Sequence, residues 1–314
     1  MISHWDDAKT RRGERGHLAG TWRDLTGSSS QFVGVQRIEV DAGMWSTPLH
    51  LEGAEEEIFF VLGGSGVSVQ SDGDETLAYE VRERDCLVHI PLENAHTLQA
   101  GDDGIDVLAF GQRVRAGGVT WLPRAGVAWL GHTWAPVGED DPPWAREAAA
   151  GPPEIGELSE RPANIVNVDD LEPVERDGAT VGRRIRDLGR AAGSVRTGLR
   201  YADVLPGKLN AAPHCHSAEE EIFVVLDGDG QLLLWEADGI EEHAVRAGTV
   251  VARPPGTGVA HSFRAGEGGM SLLMYGTRDP SDICFYPRSN KIFVTGLGLI
   301  TRVGERLDYW DGED

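Results

Sequence analysis

Cysteine, basic side chains and long apolar runs are all scarce in this chain of 314 residues. Cys86, Cys215 and Cys284 form an odd set without metal-ligand spacing, which argues against a disulfide framework and fits a reducing compartment. Twenty-nine Lys and Arg face 51 Asp and Glu, for a formal net charge of −22. Such a surface repels phosphate backbones and anionic membranes at long range, so neither nucleic acid nor a membrane is expected as a partner. No run approaches the roughly twenty apolar residues that a membrane span needs. Lys9, Arg11 and Arg12 have no apolar stretch behind them, and a cytoplasmic location is expected. A long helical period is also missing. In its place 41 Gly and 16 Pro punctuate many short apolar runs, the composition of an all-β chain. The length exceeds what one core supports and suits two domains of roughly 150 residues.

What is present is a metal-site pattern. Pro213-His214-Cys215-His216 is followed by Glu221 and, forty residues further on, by His261. On a strand the side-chain period is two, so His214 and His216 share a face while Cys215 points away. Glu221 opens the apolar run Ile222 to Leu226, which reads as a buried strand ended by Asp227-Gly228-Asp229-Gly230, and it can face the same ion. Three imidazoles and a carboxylate in one barrel are a costly set of buried polar groups unless an ion joins them.

The set His214, His216, Glu221 and Gly228 resembles the first motif of the cupins, and Gly248, Pro254, Gly256 and His261 are similar to the second. One departure is the four residues between Gly256 and His261, where the usual pattern has two; a longer loop accounts for it. The resemblance implies a metal-binding jelly-roll barrel and leaves the reaction open, because one such barrel hosts many chemistries. The pattern also occurs twice. His50 and His214 lie 164 apart, as do Glu57 and Glu221, Gly34 and Gly198, and Gly64 and Gly228; His96 and His261 lie 165 apart. The chain thus resembles a two-domain cupin, a bicupin, with an expected fold of two tandem double-stranded β-helix barrels. The expected divisions are 1–131 for the first barrel, 132–161 for a Pro-, Gly- and acid-rich connector with a short helix near Trp144 to Ala150, and 162–314 for the second barrel and its tail. The segment from Gly296 onward shows no counterpart in the first half.

The two sites are expected to differ. Glu52 stands where the second His of the pair would be, so the first set reads His50, Glu52, Glu57 and His96, a donor set suited to Mn or Zn or else a barrel kept for packing. The second set leaves two adjacent positions open on an octahedral ion. Fe(II) fits it best, with Mn, Ni, Co and Zn as alternatives. Three functions follow. The first is an Fe(II)-type dioxygenase that chelates a small oxygenated substrate, with Glu221 as ligand and proton acceptor, as bicupin oxygenases of the flavonol and diketone type suggest. The second is a redox-neutral isomerase, hydrolase or decarboxylase in which the ion acts only as a Lewis acid. The third is a non-catalytic ligand-binding cupin with a structural ion. Phe223, Val225 and Phe263 share the parity of the ligands and are expected to line the pocket or fill the barrel core. A small-molecule substrate is the expected partner, with self-association through the aromatic tail as a further expectation.

Overall fold

The computed structural model describes residues 1–114, 118–130, 133–135, 143–236, 239–305 and 307–313, so the expected connector's His132 and its 136–142 stretch lie outside the described residues. The first half contributes β1 (Ile2–His4), β2 (Thr10–Arg15), β3 (Leu18–Asp24), β4 (Val33–Val40), β5 (Leu51–Glu52), β6 (Glu57–Ser71), β7 (Thr76–Arg82), β8 (Asp85–His89), β9 (Ala95–Gln112), β10 (Thr120–Leu122), β11 (Val127–Trp129) and β12 (Trp134–Ala135). Helix α1 (Pro143–Ala150) follows where a short connector helix is expected. The second half repeats the order with β13 (Ile165–Asn167), β14 (Val174–Asp177), β15 (Gly182–Arg186), the one-turn α2 (Leu188–Ala191), β16 (Thr197–Val204), β17 (Cys215–His216), β18 (Glu221–Glu236), β19 (Gly239–Arg246), β20 (Thr249–Arg253), β21 (Ala260–Thr277), β22 (Ile283–Tyr286), β23 (Lys291–Val294) and β24 (Leu299–Arg302). No helix among the described residues is long and apolar enough to cross a membrane.

Each half is a double-stranded β-helix. Its large sheet has eight strands, and a four-stranded sheet of order β12-β11-β10-β5, or β17-β22-β23-β24, stands beside it. β6 and β18 are long because a bulge lets each continue from one stretch of partner to another: the pairing of β6 with β9 shifts between Val61 and Gly63 and again between Gly64 and Gly66. The repeated glycines serve this bend. Gly64 has φ +79° and a Cβ there would lie 2.3 Å from the Gly104 oxygen; Gly228 has φ +77° with 2.3 Å to the Gly269 oxygen.

Strand pairing crosses the expected division of the chain. β1 pairs with β20 of the second barrel, Ile2 opposite Val251, and β13 pairs with β8 of the first, Ile165 opposite Leu87. Each barrel therefore carries an edge strand from the other's half of the sequence. Between the barrels lies one shared core, in which Ile58, Phe60, Val88 and Phe110 pack with Ile222, Val224, Val250 and Tyr275.

Two buried carboxylates pin this interface. Glu56 crosses to the second half and accepts from the backbone N–H groups of Val195, Arg196 and Thr197 at 2.8, 3.0 and 2.9 Å and from the Ser194 hydroxyl at 2.9 Å. Its counterpart Glu220 accepts from Gln31, Phe32 and Val33 N–H groups at 2.9, 2.6 and 3.2 Å. Burial would raise the Glu56 pKa, but these donors outweigh it and hold the carboxyl below its ordinary value. The tail also departs from expectation. β23 and β24 extend the sheet of β17 and β22 as β11 and β12 extend that of β5 and β10, so the segment through Arg302 does have a counterpart in the first half.

Candidate metal centres

Backbone pairing assembles the C-terminal set. His214 and His261 form an antiparallel bridge in which the His261 N–H donates to the His214 oxygen at 2.8 Å, and β17 carries His216 directly onward. Glu221, first residue of β18, places its Oε2 3.0 Å from His261 Nε2 and 3.5 Å from His216 Nε2. The donor atoms of His214, Glu221 and His261 all lie within 4.8 Å of one another. His216 joins this group through its contact with Glu221. The outward nitrogens are occupied: His214 Nδ1 bonds the Ala212 oxygen at 2.8 Å, and His216 Nδ1 bonds Asp282 Oδ2 at 2.7 Å. That leaves each Nε2 free to face the site.

The electrostatics are those of a carboxylate among imidazoles. Burial holds His214 down at about 4 and also lowers His261. Burial acts the same way on His216, but the Asp282 bond and the charge of Glu221 outweigh it and raise the ring to about 9. Glu221 is held well below the usual carboxylate range: burial opposes this, and the neighbouring His261, His216 and His214 prevail. His216 Nε2, His261 Nε2 and Glu221 Oε2 are buried and have no hydrogen-bond partner. Unsatisfied buried polar atoms are rare in native proteins, and three that converge fit a bound cation.

The first barrel repeats this with three donors. His50 and His96 form the matching bridge, and Glu57 Oε2 lies 3.1 Å from His96 Nε2 and 3.5 Å from His50 Nε2. Glu57 Oε2 and His96 Nε2 are again buried without a partner. His89 stacks flat on His96, centroids 3.7 Å apart at 3°, and fixes the ring from behind. Glu52 does not join the group. Its carboxylate accepts from Thr120 Oγ1 at 2.9 and 3.1 Å across the β5–β10 pair, and burial together with Glu57 raises it to about 7. The set brought together is thus His50, Glu57 and His96.

Access separates the two sites. Beside the C-terminal set the free space is about 10 Å³, enclosed by Glu219, Arg253 and Thr257 among others. Beside the N-terminal set a cavity of about 490 Å³ reaches from His50 and Glu57 past Phe59 and Ala109 to Trp22 and Trp144. Residue size differs at one position of the N-terminal lining. Ala109 pairs with Phe59 and Gln36, whereas its counterpart Met274 pairs with Phe223 and Arg200. A larger hollow of about 760 Å³ near Leu51, Trp121 and Pro153 is lined by none of the His and Glu residues of either set.

Of the other expected residues, Phe223, Val225 and Phe263 are fully buried in the core of the second barrel, and none lines its small free space. Phe223 meets His261 edge-on at 5.2 Å and so supports its ring. Cys215 is buried and pairs with Phe285, while Cys284, across from His216, lies within 4.8 Å of the His214 and His216 donors; burial pushes its thiol up to about 12. Sequence reasoning did not find Asp282, Cys284, Thr120 or Trp144. Asp282 falls opposite Gly118 in the repeat, so duplication carries no signal for it.

No protein-family model matches the chain, and no curated protein does. Solved structures do match. Oxalate decarboxylase from Bacillus subtilis at pH 4.6 superposes with a TM-score of 0.62 at 18% identity, over 90% of this chain and 77% of that one. A deletion mutant of the same enzyme gives 0.63 at 18% over 90% and 78%, and a structure concerned with its Mn(II) centres gives 0.62 at 17% over 90% and 78%. This likeness is one of fold: the chain folds as two tandem cupin barrels.

Proposed function

We propose that the protein is a metal-dependent enzyme that carries out redox-neutral chemistry on a small oxygenated organic acid, with a divalent ion at each His/Glu set and substrate admitted to the N-terminal one. The observation that carries this is the convergence of buried, unpartnered donor atoms on one point in each barrel. Imidazole and carboxylate donors without a required thiolate suit Mn or Fe, and Mn is favoured here because the superposed decarboxylase structures include one devoted to Mn(II) centres. When bound, the ion would polarise a substrate carboxyl or carbonyl oxygen as a Lewis acid.

The chain's own residues do the rest. His50 Nδ1 bonds the Pro48 oxygen at 3.0 Å, which turns Nε2 toward Glu57 and fixes the ring. Glu57 remains a carboxylate and supplies the charge that offsets an ion. Glu52, held by Thr120 beside the set instead of within it, is placed to hold or deliver a proton at its carboxyl. The closed C-terminal set, His214, His216, Glu221 and His261, would keep an ion away from solvent, as structural metal sites do.

A second reading is the dioxygenase, favoured by one observation: His50, Glu57 and His96 are two imidazoles and one carboxylate with an open side, the donor set of non-haem iron oxygenases. Anaerobic purification with elemental analysis, then parallel assays of carbon dioxide release and dioxygen uptake on candidate acids, tests both. Release without uptake supports the redox-neutral reading, and uptake supports the oxygenase. Protein that takes up no divalent ion under any reconstitution would sink both.

A further inference from the structure

We infer that the N-terminal cavity takes a ring-bearing organic acid, its oxygen donors at the His50, Glu57 and His96 end and its ring against Trp22 and Trp144; this rests on the metal-dependent reading above. A cavity of about 490 Å³ is in the range that holds drug-sized ligands, and a two-carbon diacid would leave most of it unfilled. His50 and Glu57 of the donor set line it, and so does an aromatic pair, Trp22 and Trp144, edge to face with centroids 5.7 Å apart. The lining also includes Phe59, Ile38 and the small Ala109.

The pair is built from two distant parts of the chain. Trp22 belongs to β3, and Trp144 is brought in by α1. Helix α1 is anchored by Glu147, fully buried and 2.6 Å from Arg124 Nη1, while Arg124 Nη2 donates to the Ala150 and Gly151 oxygens at 3.1 and 2.7 Å. Trp144 is therefore held in place before any ligand arrives, which lowers the ordering cost of binding. Charge does not define the ligand here, because Arg11 and Arg113 in the lining are matched by Asp24 and Glu55. The second barrel serves as an internal control: with Met274 in place of Ala109 it leaves about 10 Å³ beside its ligands.

Calorimetric titration of the Mn-reconstituted full chain with 3,4-dihydroxybenzoate and with oxalate tests this, since both chelate through two oxygens and only one carries a ring. The expected result is binding of dihydroxybenzoate about tenfold or more tighter than oxalate. Trp144→Ala should weaken the aromatic probe about tenfold while oxalate changes little. Ala109→Met, which imports the second barrel's side chain and lies outside α1, should abolish aromatic binding at unchanged Mn content and thermal midpoint. Equal affinities for the two probes in the natural protein, or aromatic binding that survives Ala109→Met, would overturn the inference. Failure of the enzyme reading looks different: no Mn is taken up before any probe is added. In that case benzoate binding to the metal-free chain, sensitive to both substitutions, would still uphold the ring pocket, and its absence would remove it.

Discussion

At the scale of single residues, Asp282 and Glu56 show how one carboxylate can set the properties of a site or an interface. Asp282 is fully buried, bonds His216 Nδ1, and also accepts from the Ala218 and Glu219 N–H groups at 2.9 and 3.2 Å, so it fixes both the ring and the turn before Glu221. Asp282→Asn should weaken metal binding at the C-terminal set by about 10- to 100-fold in a chelator competition, with the N-terminal set unaffected. Glu56 is held below its ordinary pKa in the folded chain. Its stabilisation is therefore complete above the unfolded carboxylate range and drains away as the pH falls through the folded value. Glu56→Gln should cost about 1.5–3 kcal/mol near neutral pH, measured by urea unfolding, and the variant and natural curves should converge in acid. The convergence of His214, His216, Glu221 and His261 was legible in the sequence because strand parity and spacing constrain it directly. Asp282 was not, because its role depends on β22 lying beside β17, which brings together two residues 66 apart in a contact that no local pattern announces. Glu52 was legible as a departure from the pattern. Its turn toward Thr120 follows from the β5–β10 register and only the structure shows it.

At the scale of elements, the near-constant repeat offset made the duplicated β architecture readable, and the glycine bulges of β6 and β18 gave it landmarks. Where the repeat slips, the reading failed. Trp129 pairs with Trp134 in the first half and Val294 with Leu299 in the second, and the matching strands carry dissimilar residues, so β23 and β24 showed no counterpart. The exchanged edge strands were equally hidden, since three residues of β1 carry no address for a partner far along the chain. Their contribution is testable. The His4 ring bonds the Ala247 oxygen at 2.9 Å, and the Arg37 guanidinium lies 4.3 Å from the Trp5 ring centre. Removing residues 1–5 should quicken amide exchange across Thr249–Arg253 and leave Asp85–His89, which β13 covers, unchanged. Equal acceleration in both segments would show that β1 stabilises the chain as a whole and not the second barrel.

At the scale of the whole molecule, the proposal of an ion at each His/Glu set predicts that stability depends on metal. An ion present at a hundred times its dissociation constant adds about 2.7 kcal/mol for each site it fills. Addition of Mn to metal-free protein should raise the thermal midpoint, and His50→Ala and His261→Ala should each remove part of the rise if both sets load. The overall division into two barrels was evident from length and repeat, whereas the difference in access between them was not, because it depends on which side chains meet across β4 and β9 and on where α1 comes to rest. The exchange of edge strands also bears on biosynthesis. Position 1 and its contact at position 252 are 251 residues apart. At ribosomal speeds of about 5–20 residues per second, β1 must wait roughly 12–50 s for its berth to be translated. The first barrel, for its part, has no β13 until translation passes the connector. Neither half can finish folding as a nascent domain, and a gene cut at the connector would yield two fragments, each needing the other's leading segment.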